Sequence, residues 1–64
     1  MASISGSLTA TFIPEHAEAV KEVLAATEAA IKEAAEKQGF TGIVVSYDVG
    51  EGSGWLSVSL SKIG

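Results

Sequence analysis

Sixty-four residues make at most one domain, and a chain of that size buries only about 60% of its unfolded surface, so a lone core is marginal. There is no Cys and a single His, which excludes disulfides, thiolate metal sites and a multi-histidine metal site within one chain. The net charge of −4 comes from eight acids against four lysines with no Arg, which argues against nucleic acid, whose binders carry a basic stripe rich in Arg.

Small scaffolds lacking disulfides and metals usually draw on partner subunits, so association is the expected source of additional stability. No apolar run approaches the ~20 residues of a membrane span. The opening Met1-Ala-Ser-Ile-Ser-Gly-Ser7 has neither the basic start nor the apolar stretch of a signal peptide. The chain reads as soluble and untargeted.

Residues 3 to 13 alternate, with Ile4, Leu8, Ala10 and Phe12 on one parity and Ser3, Ser5, Ser7, Thr9 and Thr11 on the other, the period of a strand with one apolar face. Gly6 lies on the apolar parity and is a candidate bend or bulge. Pro14 suits the first turn of a helix. Glu15 and Glu18 then stand at the positive end of its dipole. The helix is expected to run to about Gln38, with Gly39 as a left-handed residue past its end and Phe40 folding back onto Ala35. Its sheet-facing stripe reads as Val20, Leu24, Thr27, Ile31, Ala34 and Gln38, flanked by Ala17, Val23 and Ala35. Glu28–Lys32 and Glu33–Lys37 are spaced as i,i+4 pairs.

Residues 42 to 49 alternate again, with Ile43, Val45, Tyr47 and Val49 on the apolar parity. Gly50 to Gly54 read as a turn. Residues 55 to 63 form a third strand around Leu56, Val58 and Leu60, so the last two strands make a hairpin. The expected architecture is a single β-α-β-β domain over 1–64, of α+β class. Two layers are expected, one long helix on a three-stranded sheet, with strand order 1-3-2 favoured over the first strand lying parallel beside the second.

Two surfaces stand out as candidate subunit interfaces. The sheet face away from the helix gathers Ser3, Ser5, Ser7, Thr9, Thr11 and Ile13 from the first strand, Val44, Ser46 and Asp48 from the second, and Trp55, Ser57, Ser59, Ser61 and Ile63 from the third. Only Asp48 is charged, whereas solvated sheets more often carry Lys and Glu that discourage edge pairing. Trp is enriched at binding hot spots, although single exposed aromatics are ordinary. On the helix, Ala19, Val23, Ala26 and Ala30 form a small-residue strip beside the core stripe, suited to a close helix contact, although Ala is also simply the best helix former. The interface candidates are therefore Ser5, Ser7, Thr9, Thr11, Ser57, Ser59 and Trp55 on the sheet and Ala19, Val23, Ala26 and Ala30 on the helix. The two edge strands, neither interrupted by Pro, add a further route to association.

Catalytic chemistry finds no foothold. His16 stands beside Glu15 at the helix start and reads as a surface residue, because a general base needs a partner and a pocket. The serines lie on strands, not on a strand-to-helix elbow. Gly50-Glu51-Gly52-Ser53-Gly54 joins two strands, whereas a phosphate loop leads into a helix N-terminus. Glu18/Glu22 and Glu33/Glu36 read as solvated pairs. No catalytic, cofactor-binding or metal-binding residue is assigned.

In element order the chain resembles dodecin, a flavin-binding family of strand-helix-strand-strand subunits that form a dodecamer, and that resemblance implies ligand sites between subunits with Trp55 able to stack on a flavin. The short oligomeric tautomerases are similar too, but their N-terminal proline has no counterpart here. The run from Glu15 to Gly39, with the absence of Cys, Arg and Asn and the heavy use of Ala, Glu and Ser, resembles computationally designed proteins, in which local signals agree with the overall pattern. The resemblance implies a structural protein without a natural biochemical activity, not an enzyme; the small core, neutral Ser/Thr face, Ala strip and free edges add the expectation that it self-assembles as a closed cyclic homo-oligomer. The alternative is a dodecin-like flavin-binding module.

Overall fold

Three strands and one helix make up the computed structural model, which describes residues 1–63. β1 spans Ala2–Thr11, a 3-10 turn follows at Pro14–His16, α1 spans Ala17–Lys37, β2 spans Gly42–Val49 and β3 spans Ser53–Lys62. The sheet order is β1-β3-β2, with both pairings antiparallel, as the reading of an α+β chain of order 1-3-2 expected. Leu56 faces Leu8 and Tyr47, and Leu60 faces Ile4 and Ile43.

Local signals account for the ends of each element. Pro14 opens the 3-10 turn rather than the α-helix itself, whose first residue is Ala17. At the other end Gly39 has φ 85°, the conformation that costs an L side chain most and glycine least. The Phe40 N–H donates to the Ala35 carbonyl at 3.0 Å and the Gly39 N–H to the Glu36 carbonyl at 3.1 Å, the paired bonds of a Schellman stop. Lys62 adds a cap from the third strand. Its Nζ donates to the Gln38 carbonyl at 2.9 Å and lies 5.8 Å from the centre of the Phe40 ring, placing a cation at the negative end of the helix.

The hairpin is tighter than the sequence suggests. Ser53 and Gly54 belong to β3, leaving Gly50–Gly52 as the turn, closed by the Gly50 N–H donating to the Ser53 carbonyl at 2.8 Å. Gly54 lies where the neighbouring strand and the helix come close to the backbone of β3. A Cβ would lie 3.1 Å from the Asp48 carbonyl and 3.6 Å from Leu24 Cδ1. Gly6 makes no bulge; it pairs with Val58 in unbroken register. Ile13 precedes the 3-10 turn and Ile63 follows β3, so neither joins the outer sheet face on which their parity placed them.

The larger correction concerns where the helix sits. α1 packs chiefly on β2 and less on β3. Leu24, Ala35, Val45, Leu56 and Leu60 are the buried apolar side chains, with Val20, Ile31, Ile43, Tyr47, Val49 and Val58 packed around them. Ala35 is therefore central rather than flanking, whereas Ala34, Gln38 and Val23 are exposed. The apolar parity of β1, expected beneath the helix, is uncovered: Ile4 is 52% and Leu8 43% exposed.

Candidate interaction surface

An open apolar groove runs between α1 and β1, on the face of the sheet that carries the helix. One part, of about 500 Å³, is bordered by Leu8, Ala10, Ala19, Val23, Thr27 and His16. A further part, of about 350 Å³, lies on Ile4, Gly6, Leu8, Ile31 and Leu60. The helix forms the wall. At about 100° per residue, its apolar residues cover an arc of roughly 180° from Ala35 through Leu24, Thr27, Val23 and Ala30 to Ala26, nearly twice what packing on one sheet uses. Leu24 and Ala35 take up the half over β2. The other half, with Val23 62% exposed, faces the space above β1. Lys21, Lys32, Glu18 and Glu36 lie on the opposite side of the wheel, so the helix has a charged flank toward solvent and an apolar flank toward the groove.

The register shows why β1 forms such a floor. Ile4, Gly6, Leu8 and Ala10 lie opposite Leu60, Val58, Leu56 and Gly54, continuing the apolar face of β3 one strand beyond the helix. A Cβ at Gly6 would meet nothing within 4 Å.

The candidate interface residues thus fall on two opposite surfaces. Ala19 and Val23 share one lining with Leu8 and Ala10, which the sequence reading assigned to the core, whereas Ala26 and Ala30 line an open depression on the helix itself with Val23 and Ala34. Ser5, Ser7, Thr9, Thr11, Ser57, Ser59 and Trp55 lie on the far face in ordered rows. Ser5–Ser59–Val44, Ser7–Ser57–Ser46 and Thr9–Trp55–Asp48 each cross the sheet. The Ser46 and Ser57 hydroxyls are 3.2 Å apart, and Trp55 is 43% exposed at the end of the array.

Chemistry remains sparse. His16 is exposed at the rim of the groove. Among the described residues no three His, Asp or Glu side chains gather as a metal site, and no buried side-chain polar atom lacks a partner. No helix is long and apolar enough to cross a membrane. No protein-family model, curated protein or solved structure matches this chain.

Two measures of shape bear on the groove. The chain exposes 4370 Å², whereas a monomeric protein of 6.5 kDa is expected to expose about 3,800 Å². Its radius of gyration is 13.3 Å with extents of 45 × 16 × 10 Å, against about 11 Å for a compact chain of this length.

Proposed function

We propose that this chain is a structural protein whose role is to assemble with copies of itself into a closed homo-oligomer, using the groove between α1 and β1 as the contact. The observation that carries the reading is the uncovered apolar parity of β1 beside an apolar helix flank, with five buried apolar side chains among the described residues. The excess surface of roughly 550 Å² per chain amounts to about 1,100 Å² for a pair, near the lower bound of specific protein interfaces. A second copy is the occupant that this argument supports, because each copy carries the same excess and the same unfilled groove, and closed symmetry lets one patch satisfy another. The idealised helix and its Gly39 stop support a designed origin. In this reading the Ser/Thr rows and Trp55 face solvent.

Size-exclusion chromatography with light scattering tests the proposal. The chain is expected to elute as an oligomer at micromolar concentration, Val23→Glu to dissociate it by placing a charge in the contact, and Trp55→Ala to leave it intact. A wild-type monomer would refute self-assembly. An assembly lost in Trp55→Ala but retained in Val23→Glu would move the contact to the far face. The dodecin-like alternative rests on the exposed Trp55, and quenching of its fluorescence by a flavin would favour that alternative.

A further inference from the structure

Self-assembly through the groove does not by itself specify how two copies meet, and the backbone at the edge of β1 supplies a geometry that rests on that reading. The Phe12 N–H donates to the Gly52 carbonyl at 3.1 Å, continuing the register in which Thr11 faces Ser53. Hydrogen-bonded pairs in an antiparallel ladder recur at every second residue. The even-numbered residues of β1 therefore direct their N–H and C=O groups to β3, and Ser3, Ser5, Ser7 and Thr9 direct theirs outward. This edge is ten residues long and has none of the devices that usually block pairing. It contains no Pro and no charged residue, and its register with β3 is free of bulges. The other edge, β2, carries Asp48 and lies under the helix.

We propose that β1 pairs antiparallel with β1 of a second copy about a twofold axis at Gly6, making one six-stranded sheet of order β2-β3-β1-β1-β3-β2. Residues directly opposite one another point to the same face, and a slip of one residue would set serines on the apolar side. Parity therefore requires even residues to meet even residues. Centring on Gly6 sets Ile4 of each copy against Leu8 of the other in the closely spaced, non-hydrogen-bonded positions. It joins the two exposed large apolar side chains of the strand. Ser5 and Ser7 exchange the outward backbone bonds. Both helices then stand on one face, their apolar flanks turned toward each other across a floor made by both chains. In a flat sheet they would be about 20 Å apart, about twice the spacing of helices in direct contact, so each flank faces the other across the Ile4 and Leu8 side chains of both copies.

Three measurements test this pairing. Ser7→Pro removes an N–H that bonds to nothing within the chain, a position where edge strands tolerate proline. It is expected to keep the circular dichroism of the wild type and to lose the oligomer at micromolar concentration. Gly6→Cys, with Cα atoms about 4.5 Å apart and within disulfide range, is expected to cross-link two native chains under mild oxidation. Ser3→Cys, which faces Thr9 of the other copy, is expected not to. Native mass spectrometry is expected to give an even subunit number. A wild-type oligomer with an odd number, with no Gly6→Cys cross-link, or with a folded and still associated Ser7→Pro variant would overturn the edge pairing and leave self-assembly standing. A monomeric wild type would overturn both. If Ser7→Pro does not fold, the Gly6→Cys cross-link decides.

Discussion

Glycines separate local backbone demands from tertiary ones in this chain. Gly39 is required by its own dihedral angle, φ 85°, and was legible from its place after a run of good helix formers. Gly54 and Gly6 look alike in sequence, each interrupting an apolar parity, yet their surroundings are opposite. At Gly54 an added Cβ would come within 3.1 Å of the Asp48 carbonyl and touch Val49 and Leu24, and at Gly6 it would enter open space. Gly54→Ala is therefore expected to cost about 1–3 kcal/mol, as overpacking does. Gly6→Ala, in the Ser7→Pro background that removes association, is expected to add about 0.5–1 kcal/mol by relieving the entropy of a glycine in a strand. Urea midpoints at constant m-value measure both. Lys62 marks the limit of local reading. Its bond to the Gln38 carbonyl spans 24 residues, and no spacing rule links a strand-end lysine to a helix terminus that far away. Lys62→Met should lose about 0.5–1.5 kcal/mol, the net value of a typical hydrogen bond, measured in the same titration.

At the scale of elements, alternation and the 3.6 period were enough to place three strands and a helix, and the Gly-rich turn was enough to pair the last two strands. What they could not specify is the rotation of the helix about its axis. Its apolar arc is wide because Ala occupies so many positions, and a wide arc has no sharp centre. Ala34 and Ala35 are equivalent by composition, yet only Ala35 is buried. The same ambiguity hid the groove. Alternation in β1 shows that one face is apolar, not that anything covers it, and the strip of Ala19, Val23, Ala26 and Ala30 could be recognised without Leu8, which lies opposite Ala19 and Val23. A comparison of adjacent residues tests the observed rotation. Leu24→Ala, at 3% exposure, is expected to cost about 2–5 kcal/mol. Val23→Ala in the same monomeric background is expected to change stability by less than about 0.5 kcal/mol. A helix rotated toward β1 would bring the two values together.

Across the whole molecule, the proposed assembly makes stability and association one equilibrium. A chain with five buried apolar side chains, no disulfide and two exposed i,i+4 ion pairs has few internal reserves, since such pairs contribute only a few tenths of a kcal/mol each. In the proposed assembly, burial of β1 and the helix flank between copies would add apolar contact that the unfolded chain cannot make, so association would stabilise the folded form by mass action. For a dimer that unfolds directly to two chains, an unfolding enthalpy near 0.7 kcal/mol per residue gives about 90 kcal/mol per pair. Tenfold more protein then raises Tm by about 5 °C. Differential scanning calorimetry from 10-fold to 100-fold dilution should show that slope for the wild type. The slope should vanish for Ser7→Pro and Val23→Glu, with Tm depressed even at the highest concentration. A wild-type Tm independent of concentration over this range would mean that folding does not draw on association, and the open groove would then have to be accommodated by a monomer.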